Sequence, residues 1–154
     1  MAQYLHILPH GVHCNGVHLS EFVAIARDTR TFSPSPVTDE EGAAMFRACL
    51  NLFRQWGLSD SEAAVMLDLP PRTYARWKTG ATGRIGRDQK SRLSNLMGIH
   101  KALRIIFAEP ARGYAWVRAP NAAFGGRSAV DVMLGGELTD LMRVRRYLDA
   151  ERGG

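Results

Sequence analysis

An all-α fold is predicted, and three features of the sequence predict it. Apolar residues recur at intervals of three and four through the long segments that follow residue 38. Hydroxyl residues stand three places before an acidic one where such segments begin, the spacing at which side chains satisfy the free N–H groups of a helix start. No run alternates apolar and polar residues between turn signals as a half-buried strand would, and no internal repeat is present.

Composition sets the outer bounds. The 154 residues, 45% hydrophobic and 23% charged, match an ordinary globular chain and exclude wholesale disorder or a fibrous repeat. That length suffices for one core or for two small units leaning on each other, since about 60 residues already support a marginal helical domain. Lys and Arg outnumber Asp and Glu by 20 to 15, giving a formal charge of +5 and a pI near 9.7, a balance that suits a polyanionic or acidic partner. No segment approaches the ~20 apolar residues that cross a bilayer, and the opening MAQYLHILPHGVHCNG has neither a basic start nor a sustained apolar run. No membrane role and a cytoplasmic location are therefore expected. Cys14 falls in a loop-like stretch and Cys49 in a helical pattern, which argues against a disulfide framework.

Residues 1–37 read as an N-terminal arm and linker. His6, His10, Gly11, His13, Gly16 and the run Ser33-Pro34-Ser35-Pro36 break any long period, although Leu19, Phe22, Val23 and Ile25 around Ser20 and Glu21 admit a short amphipathic helix. Thr38 and Glu41 then form a capping box, opening a helix whose Met45, Cys49, Leu52, Phe53 and Trp56 make one apolar stripe; Arg47, Asn51, Arg54 and Gln55 lie off it and Gly57 ends it. A second box at Ser59 and Glu62 opens a short helix that buries Ala63, Met66 and Leu67. Pro70 and Pro71 forbid its continuation, yet proline suits the first position of a new helix, so residues 71–78 are predicted as a third, closed by Gly80.

Residues 81–86 read as a connector. Asp88 starts a longer helix with Leu93, Leu96, Met97, His100, Leu103, Ile106 and Phe107 on one face, stopped at Glu109-Pro110. Residues 111–117 admit a brief helical turn, and Ala119-Pro120-Asn121 with Gly125-Gly126 make a loop. Ser128 caps a short helix carrying Val130, Val132 and Met133, Gly135-Gly136 break it, and Leu138, Leu141, Met142, Val144, Arg145 and Leu148 fall on the last helix. Three regions follow: an arm at 1–37, a first helical domain at 38–82 and a second at 83–154.

The stretch 58–80 has the layout of a helix-turn-helix. Ala63 and Ala64 allow a close crossing, Leu67 and Leu69 seal a tight turn at Asp68-Leu69-Pro70, and a short basic helix projects outward. Arg72, Thr73 and Arg76 are its candidates for base edges, since the first residues of a recognition helix approach the major groove and Arg can pair with guanine. Lys78, Thr79 and Arg84 suit phosphate contacts, which set register without reading sequence. A lone basic helix is more often solvated surface; the small-residue helix, the turn and the tryptophan beside it favour the DNA-reading interpretation. Tyr74 and Trp77 read as core or rim packing. The phrase PPRTYARW resembles the one that follows the turn in the Xre-like helix-turn-helix of bacterial regulators, which implies promoter binding by paired units. That family usually has glycine in the turn where Asp68 stands, a residue that tolerates positive φ at modest cost.

Residues 85–154 carry a second resemblance, on the helix at 96–107 and on WVRAPNAAFGGRSAVDVMLGGELTDLMRVRRYLDAERGG. Proline-asparagine, phenylalanine-glycine, a serine-capped helix with Asp and Met, a glycine break and a final helix follow one another as in the toxin-binding domain of Xre/MbcA/ParS-type antitoxins. Each phrase has its own mechanical reason: Pro120 restricts the chain before Asn121, which can close an Asx turn, Gly125 and Gly126 permit a reversal, and Ser128 with Asp131 suits a helix start. The resemblance implies an antitoxin of a type II toxin-antitoxin system whose partner is a RES-domain toxin acting on NAD, by degradation or by ADP-ribose transfer, with the antitoxin blocking the active-site cleft. It marks Asn121 and Phe124 as candidate toxin contacts. Leu141, Val144, Tyr147 and Leu148 are too many to face one small core, so a partner surface is expected on the last helix. Arg145, Tyr147, Leu148, Arg152 and the Gly153-Gly154 tail are expected at or in the cleft, where guanidinium groups suit a phosphate or an acid and glycines suit a narrow opening. An ordinary frayed terminus is the competing reading.

Other signals point to no chemistry. His10, His13, Cys14 and His18 match no zinc spacing, and His100 on an apolar helix face reads as a satisfied core histidine. Residues 83–86 lack the strand and the Gly-Lys-Ser/Thr ending of a phosphate loop, and no nucleophile-base grouping stands out. No metal, no cofactor and no enzymatic activity are expected. The expected partners are the cognate toxin, promoter DNA and a second copy within a hetero-oligomer. Two alternatives stand beside this: a stand-alone regulator whose C-terminal helices dimerise or sense a ligand, and an adaptor with a relic helix-turn-helix.

Overall fold

Five of the seven helices open on a capping box or a proline at their first position. The computed structural model describes residues 35–153, in which seven α-helices follow one another: α1 (Asp39–Gln55), α2 (Asp60–Met66), α3 (Pro71–Lys78), α4 (Arg87–Ile106), α5 (Pro110–Arg118), α6 (Ala129–Met133) and α7 (Leu138–Gly153). A 3-10 turn at Ala122–Phe124 joins α5 to α6, and the described residues contain no strand, only an isolated bridge between Pro120 and Ser128. The all-α expectation therefore holds. The short helix expected near residues 19–25 lies outside the described residues.

Three capping boxes open helices. The Thr38 hydroxyl accepts the Glu41 N–H at 3.1 Å while the Glu41 carboxylate accepts the Thr38 N–H at 2.8 Å, and the pairs Ser59/Glu62 and Ser128/Asp131 repeat the exchange. Hydrogen bonds from the Thr38 and Ser59 backbones hold Glu41 and Glu62 below the usual carboxylate range, and the Ser128 hydroxyl does the same for Asp131. Prolines at the first position open α3 and α5. Gly57 stops α1 at φ +65°, where Leu58 N–H donates to the Phe53 carbonyl at 2.9 Å.

The stripe of α1 packs inward through Phe46, Cys49, Leu52, Phe53 and Trp56; Met45 sits half-buried on its flank and Phe46 takes the centre. Phe46 meets Tyr74 and Trp77 of α3 edge-on at 6.0 and 5.4 Å. Burial pushes the Cys49 thiol up to about 12, leaving it an inert packing group. Ile85, in the connector, is also core, and it reaches α1 because position 42 is glycine: a Cβ there would lie 3.2 Å from Ile85 Cδ1.

Helix α4 is buried on two sides. It packs against α1 with one flank and along α7 with the other, so Leu93, Leu96, Ile99, Ala102 and Leu103 are all enclosed while Met97, His100, Ile106 and Phe107 are left half-buried. The single stripe read from the sequence is thus split, because a helix between two neighbours buries a wider arc than a surface helix. Residues Pro36–Gly154 consequently form one compact unit. Against the expectation of surplus apolar residues, Leu141, Val144 and Leu148 are all within the core, since α4 runs alongside α7 and α6 covers its start.

Within this packing Arg92 is 4% exposed. Its Nη1 donates to the carbonyls of Met66 at 3.3 Å and Gly136 at 2.7 Å, its Nε to the Asp88 carboxylate at 2.5 Å, and Asp68 approaches to 3.9 Å. Arg118 of α5 mirrors it, donating to the carbonyls of Trp56 and Gly57, both at 2.7 Å. Each guanidinium occupies the C-terminal end of a helix, where orphan carbonyls and the negative end of the dipole favour a cation.

Two outcomes follow for stability. Arg92→Met leaves two carbonyls without their donor and is expected to cost about 3 kcal/mol, read as a lower urea midpoint at unchanged slope, with Arg92→Lys restoring only part because one ammonium cannot fork. In acid, the capping carboxylates bind protons less readily folded than unfolded. Their stabilisation is complete above the ordinary carboxylate range and is lost as pH falls from there through their lowered folded-state values; Glu62→Gln with Asp131→Asn should flatten that decline in pH-dependent thermal melts.

Candidate functional site

Two surfaces carry the predicted site residues. The first is built by α2 and α3. Ala63 and Ala64 are buried where the two helices cross, and Leu69 N–H reaches back to the Ala64 carbonyl at 2.9 Å. Asp68 turns the chain at φ +49°, the left-handed conformation that aspartate tolerates better than most residues. Tyr74 and Trp77 face the core, so the opposite side of α3 presents Arg72 and Arg76 to solvent, with Thr73 half-buried between them. Lys78 is held by a two-oxygen ion pair to Asp60 at 2.8 and 2.9 Å, and Thr79 donates to the Arg76 carbonyl at 2.7 Å. Arg84 is exposed near the start of α1, where Lys90, hydrogen-bonded to Asp39, and more weakly Arg84 keep that carboxylate below its usual range.

The second surface is built by α5, the 3-10 turn and α7. Asn121 accepts the Ala123 N–H at 2.9 Å, the Asx turn its sequence suggests, and Gly125 and Gly126 follow at φ +67° and +81°. This reversal plants Phe124 beneath Trp116 and Tyr147, with ring centroids 6.4 and 5.1 Å away. Trp116 and Tyr147 lie parallel at 5.9 Å, Phe107 extends the row 6.4 Å from Trp116, and the Arg143 guanidinium sits 5.9 Å above the Phe124 ring.

Helix α7 sorts the expected toxin-contacting residues onto three faces. Leu141, Val144 and Leu148 are interior, so Leu148, at 1% exposure, is withdrawn as a contact residue; so is most of Phe124, at 3%. Arg145, Asp149 and Arg152 form a ladder, with Asp149 3.6 Å from Arg145 and 3.5 Å from Arg152. Arg145 lies across α4 over Gly98, where an added Cβ would stand 2.6 Å from its Cζ, and donates to the Ser94 carbonyl at 3.4 Å. Tyr147 belongs to the third face, with Arg143, Arg146 and Ala150. Gly153 ends α7, and Gly154 lies outside the described residues.

Sequence reasoning did not single out Trp116, Arg143, Arg92 or Arg118. The hexad WVRAPN showed an aromatic beside a cation, but nothing local told which neighbours they would meet. His100 departs from its expectation: half-buried, it stacks on Tyr114 at 6.1 Å, its buried Nδ1 has no hydrogen-bond partner, and burial together with Arg104 lowers its pKa. It edges an open cleft of about 300 Å³ with Ala48, Asn51, Leu52, Gln55, Met97 and Tyr114. Among the described residues no three His, Cys, Asp or Glu side chains gather as metal ligands, and no helix is long and apolar enough to cross a membrane. His10, His13, Cys14 and His18 lie outside the described residues.

Comparison with known proteins follows the same division of the chain. Residues 35–98 match the antitoxin Xre-like helix-turn-helix domain and residues 102–154 the antitoxin Xre/MbcA/ParS C-terminal toxin-binding domain, so the two matches meet within α4. An uncharacterised protein of Sinorhizobium fredii, y4oB, is 42% identical over 122 residues, which span 78% of this chain and 94% of that protein. Among solved structures, a chain of the M. tuberculosis MbcT-MbcA toxin-antitoxin complex is similar in fold, with a TM-score of 0.50 at 23% identity over 73% of this chain and 94% of its own.

Proposed function

As this chain belongs to the Xre/MbcA/ParS antitoxins, joining an Xre-like helix-turn-helix to a C-terminal toxin-binding domain, we propose that it neutralises a RES-domain toxin that consumes NAD or transfers ADP-ribose, by covering that enzyme's active-site cleft. Its own family is one of inhibitors, and it acts by binding. The observation that carries the reading is the match of residues 102–154 to a toxin-binding domain, on helices that present Tyr147 and Arg152 at the surface of α7. The likeness in fold to a chain of the M. tuberculosis complex supports it. Arg145 and Arg152, already oriented by Asp149, supply cations for a phosphate or an acid at the cleft mouth, and the Gly153-Gly154 pair adds no side-chain bulk in a narrow opening. Asn121 serves by holding the turn that seats Phe124 beneath Trp116 and Tyr147, which supports the Tyr147 side of α7.

The same chain binds its own promoter in this reading, as a dimer within the toxin-antitoxin hetero-oligomer that places two copies of α3 on paired half-sites. Arg72, Thr73 and Arg76 approach the base edges, while Thr79, Arg84 and Lys78, the last from its ion pair with Asp60, contact the phosphate backbone.

Co-expression with the neighbouring gene product tests the first claim: the full chain should co-purify with that protein and suppress its activity on NAD, and a chain ending at Asp149 should lose suppression by tenfold or more, a factor worth about 1.4 kcal/mol. Absence of any complex would remove the antitoxin reading. For the second claim, Arg72→Ala or Arg76→Ala should weaken promoter binding by about 1–3 kcal/mol and relax preference at one position, whereas Arg84→Ala should weaken all sequences alike and reduce the salt slope by about one. Fluorescence anisotropy across a salt series distinguishes the two patterns.

A further inference from the structure

The open cleft of about 300 Å³ beside His100 joins three helices, and its lining has a definite chemistry. On α1, Ala48, Asn51, Leu52 and Gln55 recur at three and four residues and so share one face, with exposed Asn51 and Gln55 one turn apart beside buried Leu52. The Arg54 guanidinium donates to the Asn51 carbonyl oxygen, which leaves the Asn51 amide to act as a donor, and the Gln55 carboxamide offers both a donor and an acceptor. Tyr114 of α5 lies nearly parallel to the His100 imidazole, at 13° and 6.1 Å, making an aromatic wall, and the Met97 thioether adapts readily to a ring edge. Among the described residues, three buried side-chain nitrogens have no hydrogen-bond partner; those of Trp56 and Trp77 belong to the core, and only His100 Nδ1 belongs to a residue lining the cleft. Such a nitrogen is unfavourable whether it donates or accepts, so the imidazole gains from a polar edge brought to it. The lining contains no carboxylate, ammonium or guanidinium, and burial together with Arg104 keeps the imidazole neutral near pH 7. The volume stands at the small end of ligand pockets, which suits one ring system.

We propose that the cleft between α1, α4 and α5 binds an uncharged, flat aromatic ring bearing an amide, which packs on the His100–Tyr114 wall and on Leu52 and Met97. The amide carbonyl accepts from Asn51 and its N–H donates to Gln55, an exchange that matches the groups each carboxamide has free. A carboxylate finds no cation in the lining; Arg54 is bonded to Asn51, and Arg104 acts on His100 only through its charge. The amide can stand on the ring, as in an aryl carboxamide, or within it, as in a pyrimidine base. Ala48, Asn51, Leu52 and Gln55 lie in the segment matching the helix-turn-helix, Tyr114 in the segment matching the toxin-binding domain and His100 between the two, so neither segment contains the site by itself. A ring bound there ties α1 to α4 and α5 and stabilises the folded chain by mass action. The inference stands apart from the antitoxin reading and uses neither of the two surfaces assigned to the toxin and to DNA.

The test titrates the full chain with benzamide, uracil and benzoate, followed by nitrogen-15 NMR and thermal melts. Benzamide or uracil should shift the side-chain amide signals of Asn51 and Gln55 and the backbone signal of Tyr114 saturably, with a Kd of about 1 mM or below, and should raise the melting temperature. Whichever of the two binds more tightly identifies whether the amide stands on the ring or within it. Ala48→Trp, which fills the cleft, should weaken binding by about tenfold or more, whereas Ala75→Trp, the same change at an exposed position of α3, should not. His100→Phe, which keeps an aromatic ring and removes its nitrogens, and Gln55→Leu, at an exposed position of α1, should each lose about fivefold. Circular dichroism establishes that each variant folds, and Gln55→Leu carries the test if a bulkier variant does not. Absence of any shift at about 10 mM benzamide and uracil, well above the expected Kd, refutes the site. Unchanged binding in folded Ala48→Trp or in Gln55→Leu places the ring elsewhere and overturns the proposal. Tighter binding of benzoate than of benzamide would assign recognition to Arg54 or Arg104 and refute an uncharged ligand.

Discussion

A guanidinium taken out of water demands several acceptors at once, and Arg92 obtains them from three separate stretches of chain. Asp88 comes from its own helix, Met66 from the end of α2 and Gly136 from the turn before α7. The turn that aims α3 and the turn that launches α7 are therefore fastened to one side chain. Arg118 fastens α5 to the end of α1 in the same manner. Because both clips place a cation on helix carbonyls that would otherwise be orphaned, the helix-turn-helix and the C-terminal helices complete each other's ends.

That mutual completion explains how so short a chain presents two surfaces. A separate helix-turn-helix and a separate toxin-binding unit would each have a small core. Sharing α4 gives both a common interior, with Leu93, Leu96, Ile99 and Leu103 enclosed between α1 and α7. The exposed side of α3, with Arg72 and Arg76, and the outer residues of α7, with Arg143 and Arg146, are then left facing solvent. On α7 the division follows helical geometry: Leu141, Val144 and Leu148 point inward, Arg145, Asp149 and Arg152 make a charged ladder, and Arg143, Arg146 and Tyr147 make the aromatic and basic face.

Much of the fold was legible because helix ends are local events. Thr38 with Glu41, Ser59 with Glu62 and Ser128 with Asp131 lie three residues apart and form their capping boxes regardless of what the helices later touch. Pro71 and Gly57 act through their own backbone angles, and Asp68 adopts the positive φ its place in the turn required. The site was legible in part. Arg72 and Arg76 are exposed as their spacing from Tyr74 and Trp77 implies, whereas Leu148 was assigned to a partner surface and is interior.

The sequence by itself determined where the helices begin and stop, their order and the family to which their phrases correspond, since each of those depends on residues within about one helical turn or on a short run of letters. Only the tertiary structure decided which faces are buried. Ile99 and Leu148 became core, Arg92 became a clip rather than a solvated cation, and Trp116 met Tyr147 across 31 positions of chain (147 minus 116) because α4 brings α5 and α7 together. Burial is a property of the neighbour as much as of the residue, and neighbours distant in sequence are set by packing, not by spacing.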